Sequence, residues 1–214
     1  VKECAEYCGD KLSICTVIGF PNGYNTTACK VFETADAVKN GADEIDMVIN
    51  IGWLKDKRYG DILNEIKEIK KSCNGKILKV IIETCLLTDE EKVVACGLVA
   101  KGGAAFVKTS TGFSKGGATL GDVKILAREA KRLGIGVKAA GGIRDYETAK
   151  AMVEAGADRI GTSAGVAICE DEEGIAKDYC EELKINTDKF KHQLVNEISS
   201  LPQIQNYNSN QQLY

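Results

Sequence analysis

Three charged residues sit inside otherwise apolar stretches of this 214-residue chain. Lys108 closes "AAFVK", Lys138 lies within "GIGVKAAGG", and Asp46 interrupts "EIDMVIN". Lysine and aspartate are almost never fully buried without partners, so three of them in strand-like runs point to a shared task. A lysine attacks a carbonyl only as the free amine. With an ordinary pKa near 10.4, only about one in 2,500 is free at pH 7. Lowering that pKa by about three units costs roughly 4 kcal/mol, which burial beside a second ammonium supplies. One lysine would then be the nucleophile and the other its electrostatic depressant and proton partner, with their order left open by the residues alone. Asp46 would shuttle protons or position the attacked carbonyl.

A second constellation suits a phosphate. Gly141 and Gly142 follow directly on the run bearing Lys138, in "AAGGIRD", and "RIGTSAG" supplies Gly161, Ser163 and Gly165 after the last apolar run. Backbone N–H groups converge where such loops meet a helix N-terminus, and they bind anions there. Thr111, in the hydroxylated turn after Lys108, joins this set. Glu83 and Thr84, which end "KVIIET", either line the site or make structural hydrogen bonds. Lys79 lies near the start of its run, away from the expected catalytic end, and is discounted. Cys85 has no activating partner nearby in sequence and reads as a packing residue.

The elements that must position these residues are short. Apolar runs recur at Leu12–Gly19, Glu44–Asn50, Ile77–Glu83, Ala105–Lys108, Ile135–Ala140 and Asp158–Gly161. Helical spacing lies between them: Ala28, Val31, Phe32, Ala35 and Val38 form one face, and Leu120, Val123, Leu126, Ala130 and Leu133 another. Thr88 to Glu91 reads as a capping box and Asp145 as an N-cap, while Gly41, Gly103 and Gly156 stand where helices should stop. Three junctions repeat one pattern of helix end, glycine and strand: "VKNGADEIDMVI", "VAKGGAAFVKTS" and "MVEAGADRIGTS". Strands alternating with helices at this spacing predict parallel pairing with right-handed crossovers. That leaves a (β/α)8 barrel or a doubly wound sheet. The first turn lacks G-x-G-x-x-G and the reactive residues end several different strands, which favours the barrel. Only six strand-helix units are evident where a barrel has eight, and "VKECAEYCGD" reads as the remainder of a helix, so an N-terminally incomplete barrel is expected. Residues 1–169 are expected to form this partial barrel. Residues 170–214 are expected to add a helix, with Phe190, Leu194, Ile198 and Leu201 on one face, and a polar, disordered tail.

Composition narrows the class of function. Acidic and basic residues nearly cancel, 31 against 28, so the chain lacks the basic surplus that holds nucleic acid. No apolar run approaches a membrane span and no signal-peptide pattern is present, which predicts a soluble cytoplasmic protein. Nine scattered cysteines without a C-x-x-C pair fit neither a disulfide framework nor a zinc ribbon. A single histidine, His192, is too few for a histidine-rich metal site.

In order and spacing, "CTVIGFPNG", "GADEIDMVINIG", "KVIIET", "FVKTSTGF", "VKAAGGIR" and "RIGTSAG" resemble the deoxyribose-phosphate aldolase family from about Ser13 to Ile168. The resemblance implies a TIM-barrel class I aldolase without metal or cofactor. Such an enzyme interconverts 2-deoxy-D-ribose 5-phosphate with acetaldehyde and D-glyceraldehyde 3-phosphate in deoxyribonucleoside catabolism. It assigns the Schiff base to Lys108, pKa perturbation and proton relay to Lys138, and proton relay to Asp46. Gly141, Gly142, Gly161, Ser163 and Thr111 would hold the phosphate, and the active unit would be a homo-oligomer, taken as a homodimer. Two alternatives stand beside this reading. One is a catalytically inactive barrel remnant that binds a sugar phosphate or a partner subunit; the other is a related Schiff-base barrel acting on a different sugar phosphate.

Overall fold

Each of the six apolar runs becomes a strand: β1 (Cys15–Ile18), β2 (Glu44–Val48), β3 (Ile77–Ile81), β4 (Phe106–Lys108), β5 (Gly136–Ala140) and β6 (Arg159–Gly161). The computed structural model describes residues 1–171. The expected C-terminal helix, His192 and the polar tail lie outside the described residues. Helices are interleaved with the strands: α1 (Lys2–Cys8), α2 (Thr27–Lys39), α3 (Ile51–Lys55), α4 (Tyr59–Ser72), α5 (Asp89–Lys101), α6 (Leu120–Leu133) and α7 (Tyr146–Glu154).

The strands pair in chain order, β1 to β6, and every pair is parallel. A doubly wound sheet reverses its order at a switch point and carries helices on both faces. Here the order never reverses, so right-handed crossovers put all the helices on one side. They pack on one another in sequence, α4 on α5, α5 on α6 and α6 on α7, with α2 on α4. The other face of the sheet is concave. It curls far enough for the Arg159 guanidinium on β6 to reach the Glu44 carboxylate on β2, at 2.7 Å to each oxygen. The arrangement is a six-stranded half-barrel with an outer layer of helices.

Side-chain alternation sorts the two faces. Ile45, Met47, Leu78, Val80, Val107, Val137, Ala139 and Ile160 point to the helices and form one apolar core with Ile62, Ile66, Ile69, Val99, Val123, Leu126 and Met152. The alternate positions, Cys15, Glu44, Asp46, Lys79, Lys108, Lys138 and Arg159, face the concavity. This explains why charge interrupts runs that are otherwise suited to buried parallel strands.

The three similar junctions fold alike. Gly41, Gly103 and Gly156 take φ values of 101°, 83° and 108°, which only glycine adopts readily. In each, the next alanine N–H returns to the helix, Ala42 to Ala37, Ala104 to Val99 and Ala157 to Met152, at 3.0 to 3.2 Å. The following residue then opens the pairing with the preceding strand. Asp43 and Asp158 also accept the N–H of Ile14 and Val137 at 3.0 and 2.8 Å, sealing the lower rim at two places. The capping box at Thr88 and Glu91 and the Asp145 cap both form.

One helix face differs from the expectation. On α2, Ala28, Phe32 and Ala35 are exposed, and the buried side is Lys30, Thr34 and Ala37. Lys30 turns inward because it bonds the Glu65 carboxylate of α4 at 3.0 Å and the Val48 carbonyl at 2.8 Å. Val31 and Val38 of the expected face do pack on the core, and the ion pair between two helices takes the inward side beside them in place of Phe32.

Candidate active site

Asp46 is the centre of the concave face. It lies in the middle of β2, 1% exposed, and its two oxygens divide the surrounding cations. Oδ2 accepts from both Lys108 Nζ on β4 and Lys138 Nζ on β5, each at 2.8 Å. Oδ1 accepts from Lys79 Nζ on β3 at 2.8 Å and from the Cys15 thiol on β1 at 3.3 Å. Lys108 and Lys138 are register partners on adjacent strands, which fixes their separation before any side chain is considered.

Ammonium outnumbers carboxylate here. Three lysines and Arg159 face two acids, Asp46 and Glu44. Burial opposes the charge on Asp46, but the ammonium groups of Lys108, Lys138 and Lys79 together hold its carboxyl well below the usual range. Burial lowers the pKa of Lys138, and the neighbouring Lys108 charge adds to this against the pull of Asp46. Lys79 behaves oppositely. Its burial is outweighed by Asp46, Cys15 and Glu44, and its pKa is raised. The site thus combines a fixed ammonium below Asp46 with a pair of lysines sharing one oxygen above it, one of them tuned toward the neutral amine. Neutral amine beside ionised carboxylate is what addition to a carbonyl followed by proton transfer requires.

A cavity of about 370 Å³ opens over these groups. Asp46, Lys108, Thr111, Lys138, Gly141, Gly142, Gly161 and Ser163 line it together, while Gly165, Glu83 and Thr84 are not among its lining residues. Gly141 and Gly142 both take positive φ, 86° and 82°, so the loop after β5 turns its backbone in a way side chains would resist. Thr162 ties that loop to the one after β6, donating to the Ile143 carbonyl at 2.7 Å and accepting from Ala164 N–H at 2.9 Å. Gly161 also serves the lysine, since a Cβ there would lie 3.1 Å from Lys138 Cε and 2.9 Å from Ala140 Cβ. Thr111 lines the cavity while its hydroxyl bonds the Glu83 carboxylate, which also receives the Thr111 N–H at 3.4 Å. Glu83 therefore holds the loop that follows Lys108, and it does so from a left-handed backbone at φ 48°.

Several participants escaped the sequence reading. Lys79, discounted as remote, is fully buried and bonded to Asp46 because its Cα is the register partner of Asp46 on the same face. No local signal marked it, because the register that pairs it with Asp46 joins two separate strands. Glu44 and Arg159 complete the layer below. Arg144, in the quoted "AAGGIRD", lines the cavity beside the glycines and offers a positive charge there. At the mouth, Phe20 and Phe113 meet edge to face at 5.3 Å, joining the loops after β1 and β4.

Comparison with known proteins accords with this geometry. The sequence model of DeoC/LacD family aldolases matches residues 5–171. A deoxyribose-phosphate aldolase of Streptococcus pyogenes serotype M4 (strain MGAS10750) is 54% identical over 172 residues, covering 80% of this chain and 77% of its own length. Among solved structures, the aldolase QR15 superposes with a TM-score of 0.77 at 45% identity over 81% of this chain and 78% of its own. The deoxyribose phosphate aldolase of Aeropyrum pernix, described as a unique tetramer, gives 0.74 at 36% identity over 81% and 73%.

Proposed function

The chain belongs to the DeoC/LacD aldolase family, and we propose that it is a deoxyribose-phosphate aldolase working through a Schiff base on Lys108. The observation that carries this reading is the single oxygen of Asp46 shared by Lys108 and Lys138 beneath a cavity lined by the glycines of two loops.

Lys108, once it has passed its ammonium proton to the Lys138 and Asp46 pair, adds through its free amine to the C1 aldehyde of open-chain 2-deoxy-D-ribose 5-phosphate. Loss of water, with protons supplied by the Lys138 and Asp46 pair, leaves an iminium. A base then takes the C3 hydroxyl proton. The electron pair of the C2–C3 bond moves to form C1=C2, the iminium nitrogen becomes an enamine nitrogen, and glyceraldehyde 3-phosphate departs with its new carbonyl at the former C3. A proton delivered to C2 regenerates the iminium, and water releases acetaldehyde and the free amine. Lys138, with its lowered pKa and its bond to Asp46, suits both the giving and the taking of these protons.

The phosphate would lie against Gly141, Gly142, Gly161 and Ser163, with Arg144 as counter-charge and Thr111 on the opposite wall. Binding energy gained there would fix C1 against Lys108. The six-stranded arc is read as part of a (β/α)8-type barrel. No helix among the described residues is long and apolar enough to cross a membrane, in keeping with the cytoplasmic reading. A homodimer is the proposed assembly, to be tested by light scattering against the tetramer described for the Aeropyrum pernix relative.

The test is release of acetaldehyde from 2-deoxy-D-ribose 5-phosphate. Wild-type protein should produce it and Lys108→Met should not. Folded wild-type protein that releases none, or a Lys108→Met variant that matches wild type, would exclude the reading.

A further inference from the structure

We infer that Arg159 and Glu44, acting through Lys79, are positioning residues that set how strongly Asp46 holds the protons of Lys108 and Lys138. The inference rests on the reading of those two lysines as the amine pair of an aldolase. None of Arg159, Glu44 and Lys79 is among the residues that line the cavity, so they lie beneath the substrate rather than against it.

The chain of contacts is continuous. Arg159 donates to both oxygens of Glu44 at 2.7 Å. Glu44 pairs with Lys79. Lys79 donates to Asp46 Oδ1 at 2.8 Å, and Asp46 Oδ2 faces the lysine pair. Arg159 is held from a second side, its guanidinium 4.5 Å over the Phe106 ring. Gly136 clears the space for that ring, since a Cβ there would stand 2.4 Å from it. An aliphatic layer would fill the same volume without burying these charges, and replacement of buried ion pairs by apolar groups is often neutral or stabilising. Three buried charged groups continued by the half-buried Arg159 therefore point to an electrostatic task.

The charged and titratable groups around the lysine pair that enter the balance are Asp46 and Glu44 on β2, Lys79 on β3, Arg159 on β6, the Cys15 thiol on β1, Arg144 across the cavity, and each lysine of the pair on the other. Removing the Glu44 charge takes a negative charge from below and commits Lys79 to Asp46. Both effects weaken the hold on the ammonium form, so the lysines lose protons at lower pH. Removing the Arg159 charge leaves Glu44 to draw Lys79 away from Asp46, and the lysines keep their protons to higher pH. The two variants should thus move the acid limb in opposite directions.

The experiment is the pH dependence of kcat/KM for acetaldehyde release from 2-deoxy-D-ribose 5-phosphate. Glu44→Gln should shift the acid limb down by about half to one unit, and Arg159→Met should shift it up by a similar amount. The double variant should return close to wild type, and Arg159→Lys, which keeps the charge, should leave the limb in place. The Arg159 side chain reaches solvent in part, 17% exposed, so Arg159→Met decides the matter should Glu44→Gln fail to fold. A limb that stays put while kcat/KM falls at every pH, or that moves the same way in both single variants, overturns the inference. Wild-type protein that releases no acetaldehyde would instead overturn the function it rests on.

Discussion

Asp46 serves three ammonium groups with two oxygens, and substitution separates their contributions. Asp46→Asn removes the charge while keeping the shape, leaving Lys79, Lys108 and Lys138 buried around one carbonyl acceptor and an NH2 donor, with their shared countercharge gone. We expect stability to fall by about 3–5 kcal/mol, the range for breaking one side of a buried ion pair, read by denaturant titration. We expect activity to fall by roughly two to four orders of magnitude, as for loss of a proton-transfer group. The pH dependence has a definite sign. Because the folded-state pKa of Asp46 is depressed, its stabilisation is fully present above its ordinary value near 3.8 and is lost as pH falls from there through the folded value. The variant should lack this component, so its stability should decline less steeply with acid than that of wild type. Asp46, Lys108 and Lys138 were legible from sequence because each sets a charge in an otherwise apolar run that leads into a loop carrying small or hydroxylated residues. Lys79 was not, because its importance comes from register with a residue 33 positions away and from which face it shares.

At the scale of elements, glycines decide where strands and helices can approach. Gly161→Ala on β6 should push Lys138 from Asp46, since the added carbon meets Lys138 Cε at 3.1 Å, and should also press on β5, where it meets Ala140 Cβ at 2.9 Å. Displacement on the order of 1 Å can cost about a hundredfold, so kcat should drop by roughly ten- to a hundredfold, with a modest fall in melting temperature from the Ala140 contact. Gly156→Ala should do the reverse. Its φ of 108° and a Cβ 2.5 Å from that of Ala127 make it a stability change of about 1–3 kcal/mol with catalysis in the surviving protein unaltered. The junction glycines, the caps and all six strands could be read from the sequence because their signals are local. The α2 face could not. Its Lys30 finds Glu65 and the Val48 carbonyl only after the chain has folded back, and the exposed Phe32 then carries the apolar spacing outward.

At the scale of the whole molecule, alternation of strands and helices specified a parallel sheet, and the strand order settled its form. An order that never reverses leaves one face for the helices and one for charge, so the curled arc gathers side chains from β1 to β6 into a single polar interior. The upper part of that interior, with the lysine pair and the glycine loops, was expected from motifs. The lower part, with Arg159 and Glu44, joins residues 115 apart and has no local signature. The proposed mechanism turns on one atom, the Nζ of Lys108. Protein incubated with 2-deoxy-D-ribose 5-phosphate, reduced with borohydride and mapped by peptide mass should carry a secondary amine adduct on the peptide containing Lys108. An adduct on Lys138 instead, or none on folded protein, would contradict the account.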